Sequence, residues 1–311
     1  MGEEPPKAVA GAFGKTVRSG EKSRKSEGTK LLYLILCILC SSMLAIGMRL
    51  SEGRIQSKMS MIAVNYVACL VVGVCYTGVG GLIPSGEGVV PMLGMGAFNG
   101  VFYMFGLVLN QYNIPRNGVV LTSVFSKMGG LLIPLVISIL VFREDPTMLQ
   151  IVGFIVSMIS IILICQGGEK ETAKKLSIGG LVILFLSDGC AGIMAKVFQE
   201  MGNPLLSDHF LFMTFGVALI LCVIVILIKG ERVGKSELFF GLLIGIPNFM
   251  QAKFQLMAME TIPAVIVYPM KSVGTIVVIT LAGVLMFREK LSKKQLAALT
   301  TILVSLVLLN I

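Results

Sequence analysis

From Ile262 to Leu291 the chain reads IPAVIVYPMKSVGTIVVITLAGVLMFREKL, an apolar run interrupted near its middle by one lysine, Lys271. The run is long enough to cross a bilayer, which takes roughly 20 residues. An ammonium group at that depth costs on the order of 2.5 to 3.5 kcal/mol even on lenient insertion scales. Such a group persists only where neighbouring groups or a ligand compensate it, so this stretch cannot be a plain lipid-facing helix. A second stretch repeats the design. Ile114 to Glu144 also opens on Ile-Pro, holds one lysine at mid-span, Lys127, and closes with Phe142-Arg143-Glu144, as the first closes with Phe287-Arg288-Glu289. Lys127 lies 16 residues before Arg143 and Lys271 lies 17 before Arg288, so the two lysines sit at nearly equal depth.

The remainder of the chain fits a membrane setting. Hydrophobic residues make up 55% and charged residues 14%, against roughly 25% charged in a soluble domain, and the mean hydropathy is +0.90. Apolar spans fall near 31–48, 60–83, 89–109, 117–142, 147–166, 177–199, 207–228, 237–258, 263–287 and 292–310. These predict an all-α integral membrane protein of ten transmembrane helices, with loops too short for a soluble catalytic domain. The first 30 residues hold seven Lys/Arg and four Glu among Gly, Pro and Ser. That composition predicts a disordered basic tail able to lie along anionic headgroups. The seven cysteines all fall within apolar spans. The Cys37-Cys40 pair has no nearby His or acidic partner, so it reads as packing, and neither a metal nor a cofactor is expected.

The repeat extends beyond the lysine helices. Asn99 precedes the proline of its Ile-Pro by 16 residues and Asn248 precedes its own by 15, and the end of the first span matches the end of the sixth with Arg49 opposite Lys196. The chain therefore divides into a tail at 1–30, one five-helix repeat at 31–168 and a second at 176–311. Five is odd, so two fused copies cross the bilayer in opposite senses and form an inverted repeat. In such an architecture the binding site lies between the copies near the midplane.

The ten-span layout resembles the drug/metabolite transporter superfamily, EamA type. The resemblance rests on the basic residue ending the first and sixth spans (Arg49, Lys196), on the glutamates after the fourth and ninth (Glu144, Glu289), and on Pro269. It implies a transporter with a central cavity and with both termini in the cytoplasm. The chain differs from the pattern at Ser41-Ser42, where a tryptophan is common, at Asn65-Tyr66, where an arginine is frequent, and in carrying Asp188.

Within this frame Lys127 and Lys271 are candidate ligands for an anionic group, with Tyr268, Asn99, Asn248, Gln251 and Lys253 as further cavity residues. Small residues one or two turns from each lysine, Gly130 and Gly274, let a helix or substrate approach the backbone. Asp188, a carboxylate at mid-span, is a candidate either for proton coupling or for a fixed ion pair with Lys127 or Lys271. Lys196, Glu144 and Glu289 are candidate gating pairs. The leading expectation is a secondary transporter of a small anionic or zwitterionic metabolite working by alternating access. The alternative is a proton-coupled exporter of cationic or neutral compounds that uses Asp188. A channel is a weaker reading, because paired lysines favour binding and release over conduction. A membrane enzyme lacks support, since no HExxH, phosphate loop or metal-ligand cluster is present. The expected partners are a small-molecule substrate and the lipid bilayer, with no nucleic acid; a homodimer is open, and the cell membrane is the expected location. Fourteen Lys/Arg fall in the loops opposite the termini against eight on the tail's side, which opposes the family's orientation if the positive-inside rule is applied.

Overall fold

The computed structural model of the chain describes residues 31–78, 83–166 and 178–287, together with Ala297, Thr300, Thr301, Val304 and Leu308. The expected tail at 1–30, the junction at 168–176 and Glu289 lie outside the described residues. All regular structure among the described residues is helical. In chain order the elements are α1 (Leu31–Ser51), α2 (Lys58–Thr77), α3 (Val89–Leu140), α4 (Met148–Gln166), α5 (Ile178–Met201), α6 (Ser207–Lys229), α7 (Lys235–Met259) and α8 (Ala264–Phe287). The five described residues of the last apolar segment are helical as well.

Among the described residues five stretches, Leu31–Ser51, Lys58–Thr77, Val89–Asn113, Ile178–Met201 and Pro204–Lys229, are long and apolar enough to cross a membrane. Burial is inverted relative to a soluble bundle. Large apolar side chains such as Val90, Leu140, Leu227 and Ile228 point outward, while Asn65, Asn99, Lys196, Asn248 and Gln255 are buried. Lipid tails solvate the apolar exterior, and the polar groups turn inward because hydrocarbon offers them no hydrogen bonds.

Two expectations need correction. The second span, expected at 60–83, ends at Thr77, because Gly78 takes a positive φ of 71° while its N–H closes on the Val74 carbonyl, a backbone that only glycine adopts cheaply. The expected loop between 89–109 and 117–142 is absent, and helical backbone runs unbroken for 52 residues through α3. A straight helix of that length would span about 78 Å, more than twice the bilayer core. It is not straight. A Cβ on Gly106 would lie 2.5 Å from Asp188 Oδ1, and Ser126 donates to Asp188 Oδ2. Residues separated by about 30 Å in a straight helix thus meet one carboxylate, and α3 must double back between Asn113 and Phe125, a stretch that contains Pro115 and Gly118.

α5 lies against both arms of α3. Asn113 Nδ2 donates to the Gly180 carbonyl (3.0 Å) and Ser187 Oγ to the Phe102 carbonyl (3.1 Å), so the first arm runs antiparallel to α5. On the second arm a Cβ at Gly129 would collide with the Phe185 carbonyl, and Ile133 and Pro134 lie against Gly189 and Gly192, so that arm runs parallel. Across the molecule α1 packs on α7 and α8: Cys37 Sγ reaches the Gln251 carbonyl at 3.3 Å, Gly274 accommodates Ile38, and Tyr33 stacks on Phe254. The consecutive five-helix blocks expected from the repeats therefore exchange helices. α5, from the second block, joins the two arms of α3, and α1, from the first, joins α7 and α8.

α2 and α6 lie between these bundles. α2 meets α7 where Gly241 and Gly245, a GxxxG pair, bring the helices close enough that a Cβ at either would strike Val64 or the Asn65 carbonyl. Small residues of this kind allow close helix contact in lipid. α6 meets the first arm of α3 through Asn99 and Thr214 (3.2 Å).

Candidate functional site

The bundles enclose a central cavity of about 210 Å³, lined from α1, α3, α5, α6, α7 and α8. Of the residues expected at a binding site, Lys127, Lys271, Tyr268, Asn99, Asn248 and Gln251 line it, together with Asp188. Lys127 comes from the second arm of α3 and Lys271 from α8, so the two equivalent lysines approach one space from different bundles.

Their surroundings differ. The Lys271 ammonium donates to Gln255 Oε1. Lys127 has no hydrogen-bond or ion-pair partner among the described residues, although the charges of Lys271 and Asp188 act on it. Asp188 is held by Ser126, the residue beside Lys127, so the expected fixed ion pair between Asp188 and a lysine is absent among the described residues. Two ammonium groups against one carboxylate leave the cavity with an excess positive charge.

An amide ladder supports one wall. Gln251 Nε2 donates to Asn248 Oδ1 (3.2 Å), and Asn248 Nδ2 donates across to Asn65 Oδ1 on α2 (3.2 Å). Asn99 gives its Nδ2 to Thr214, while its Oδ1 is buried with no partner. Buried amides in this state are either bridged by water or satisfied by a ligand.

The remaining expected residues fall elsewhere. Lys253, expected in the cavity lining, instead pairs with Asp208 at 2.6 Å and donates to Ser207, because α7 lays it against the start of α6. Lys196, buried at the end of α5, binds Glu144 and Glu200, each at 2.5 Å. Glu144 also accepts the backbone N–H groups of Ala264 (3.2 Å) and Val265 (3.0 Å). A carboxylate in that position caps the start of α8 and complements its dipole. Tyr268 lines the cavity, but its hydroxyl donates to the Gly192 carbonyl on α5 at 2.7 Å. Near the same end Gln199 donates to the Met259 carbonyl. The cavity is therefore tied shut between the bundles at the end that holds Glu144.

The amide stripe of Asn248, Gln251 and Gln255 on α7 was readable from its spacing, and Gln255 lines the cavity with the other two. Ser126 and Asn65 were not among the expected site residues. Ser126 directly precedes Lys127. Asn65 gives no such signal, since its partner lies 183 positions away.

Residues 178–311 match the EamA-like transporter family. Over that stretch the chain is similar to the transporters of the drug/metabolite superfamily. It is similar to an uncharacterized protein of Haemophilus influenzae, 22% identical over 272 residues, which cover 84% of this chain and 91% of the relative. It is also similar to the uncharacterized transporter YyaM of Bacillus subtilis, 27% identical over 157 residues, about half of each chain (49% and 48%). A crystal structure with 14% sequence identity superposes with a TM-score of 0.70 over 90% of this chain and 96% of that one, which shows a shared fold. The match over residues 178–311, together with apolar helices long enough to span a membrane among the described residues, indicates an integral membrane protein.

Proposed function

We propose that this EamA protein is a secondary transporter of a small anionic or zwitterionic metabolite, bound in the central cavity between Lys127 and Lys271. One observation carries the reading: Lys127 projects an ammonium group into a buried cavity with no protein partner among the described residues. A charge so placed is costly unless a ligand of opposite sign completes it. Lys271 gives a second cation to the same space, and Asp188 supplies a carboxylate that suits the ammonium of a zwitterion. The chain comprises ten helices as two inverted five-helix repeats, 31–168 and 176–311, in the cell membrane.

Alternating access takes place between the bundle of α3 and α5 and the bundle of α1, α7 and α8. Glu144, Tyr268 and Gln199 hold one end together, so opening that end breaks their bonds to Ala264, Val265, Gly192 and Met259. Proton coupling through Asp188 is the second reading, favoured by the Ser126 bond that holds the carboxyl group in the cavity.

Uptake into proteoliposomes, measured with a radiolabelled panel of carboxylates, phosphate esters, amino acids and organic cations, tests the proposal. An anion or zwitterion is expected to accumulate with the wild type and not with Lys127→Gln or Lys271→Gln. Transport of cations alone, undiminished in both variants, would refute it.

A further inference from the structure

A second cavity, of about 390 Å³, lies at the end opposite Glu144, where α2 begins and the first arm of α3 and α6 end. Its floor is apolar, formed by the buried Met59 and Ile62 with Val108 beside them. Its rim carries three exposed cations, Lys58, Arg116 and Lys229. Two of these are fixed in place. Lys58 donates to the Gln111 carbonyl (3.2 Å), and the Arg116 guanidinium lies 3.5 Å from the Tyr112 ring centroid while donating to the Tyr112 carbonyl (2.9 Å). Glu231, the carboxylate on the rim, is engaged by the Ser57 hydroxyl. Among the described residues none of the three cations forms an ion pair.

The flanks lead from lipid to this rim. Phe98, Phe105 and Tyr112 recur every seventh residue on α3 and are exposed, as are Ile220, Ile224 and Leu227 on α6. Apolar stripes that converge on a cationic rim match a molecule with acyl chains below and a phosphate above. Arg54 and Arg232 in the adjoining loops, and Lys235 at the start of α7, strengthen the positive field at this end. A soluble phosphate ester would use the rim but leave the apolar floor and stripes uncovered.

We propose that this pocket binds the headgroup phosphate of an anionic phospholipid, held among Lys58, Arg116 and Lys229. The site shares no residue with the central cavity and stands independently of the transport reading. Occupancy places this end of the bundle in an anionic leaflet, which agrees with the excess of basic residues in its loops.

Native mass spectrometry of the protein in neutral detergent, with phosphatidylglycerol or phosphatidylcholine added, tests it. Phosphatidylglycerol adducts are expected to exceed phosphatidylcholine adducts. Affinity should fall about fivefold for each cation removed, and on the order of a hundredfold in K58Q/R116Q/K229Q, because each basic residue near an anionic surface contributes on the order of 1 kcal/mol. K58R/K229R should keep the lipid, which separates charge loss from misfolding, and Lys127→Gln should bind it as the wild type does. Equal binding of the two lipids, or wild-type phosphatidylglycerol binding by the triple variant, would overturn the site. Displacement of the lipid by millimolar inorganic phosphate, with the same dependence on the three cations, would overturn the lipid in favour of a soluble anion.

Discussion

Replacing Glu144 with alanine removes, in one step, a partner of a buried lysine and the acceptor of two backbone N–H groups at the start of α8. Lys196 is 1% exposed and Glu144 16% exposed. Breaking a buried pair costs about 3–5 kcal/mol when the surviving charge is left alone. Here Glu200, 39% exposed, stays 2.5 Å from Lys196 Nζ, so the ion-pair contribution falls to about half of that figure, about 1.5–2.5 kcal/mol. Loss of the cap on α8 adds about 1 kcal/mol. The sum, about 2.5–3.5 kcal/mol, lowers the thermal midpoint by about 5–7 °C at roughly 2 °C per kcal/mol for a large chain. The chain has no tryptophan, but Cys37, Cys69 and Cys222 are buried thiols, so a thiol-reactive fluorophore reports unfolding. Glu144→Gln keeps an oxygen for one N–H and should fall between wild type and alanine. Glu200→Ala removes only the exposed partner and should cost least. An unchanged midpoint for Glu144→Ala, or a larger loss for Glu200→Ala, would show that Glu144 does not hold the bundles together.

Three further outcomes follow from the same geometry. Lys127→Met should raise the thermal midpoint while abolishing transport, because it removes a cation that has no protein partner among the described residues; a lowered midpoint would show that the ammonium is satisfied within the protein. Gly129→Ala forces a Cβ into the Phe185 carbonyl and should cost about 1–3 kcal/mol as overpacking, whereas Gly94→Ala and Gly216→Ala meet open space and should be tolerated; equal midpoints for all three would refute the α3–α5 contact. Tyr268→Phe deletes the bond to Gly192 and should cost about 1 kcal/mol; cysteines placed on that wall should then label faster, and unchanged labelling would show that the hydroxyl plays no part in closing the cavity.

Much of the frame was readable because membrane chains announce their spans. Charges must sit near helix ends, so Arg49, Arg143 and Lys229 mark boundaries within a few residues of those observed. Lys127 and Lys271 stood out because the rule was broken at the same depth twice. What escaped the sequence depends on distant partners or on backbone geometry. Lys253 resembled a cavity lysine until α6 brought Asp208 against it, a contact across 45 positions that no local pattern encodes. The reversal inside α3 was implied by the separate spans 89–109 and 117–142, but not that helical backbone carries through it; the shared contact of Gly106 and Ser126 with Asp188 places the turn. The exchange of α1 and α5 between bundles likewise follows from small residues, Gly274 and Gly129, whose partners, Ile38 and Phe185, lie far away in the sequence. Gly241 and Gly245 were a readable GxxxG pair that points to the α2–α7 contact.

Ligand-induced thermal stabilisation of the purified wild type and of Lys127→Gln, across carboxylates, phosphate esters, amino acids and organic cations, tests most directly whether the free ammonium in the cavity is the recognition element. Stabilisation of the wild type by an anionic or zwitterionic compound, lost in Lys127→Gln, is the predicted result. Stabilisation by cations only, equal in both proteins, would contradict it and turn attention to Asp188.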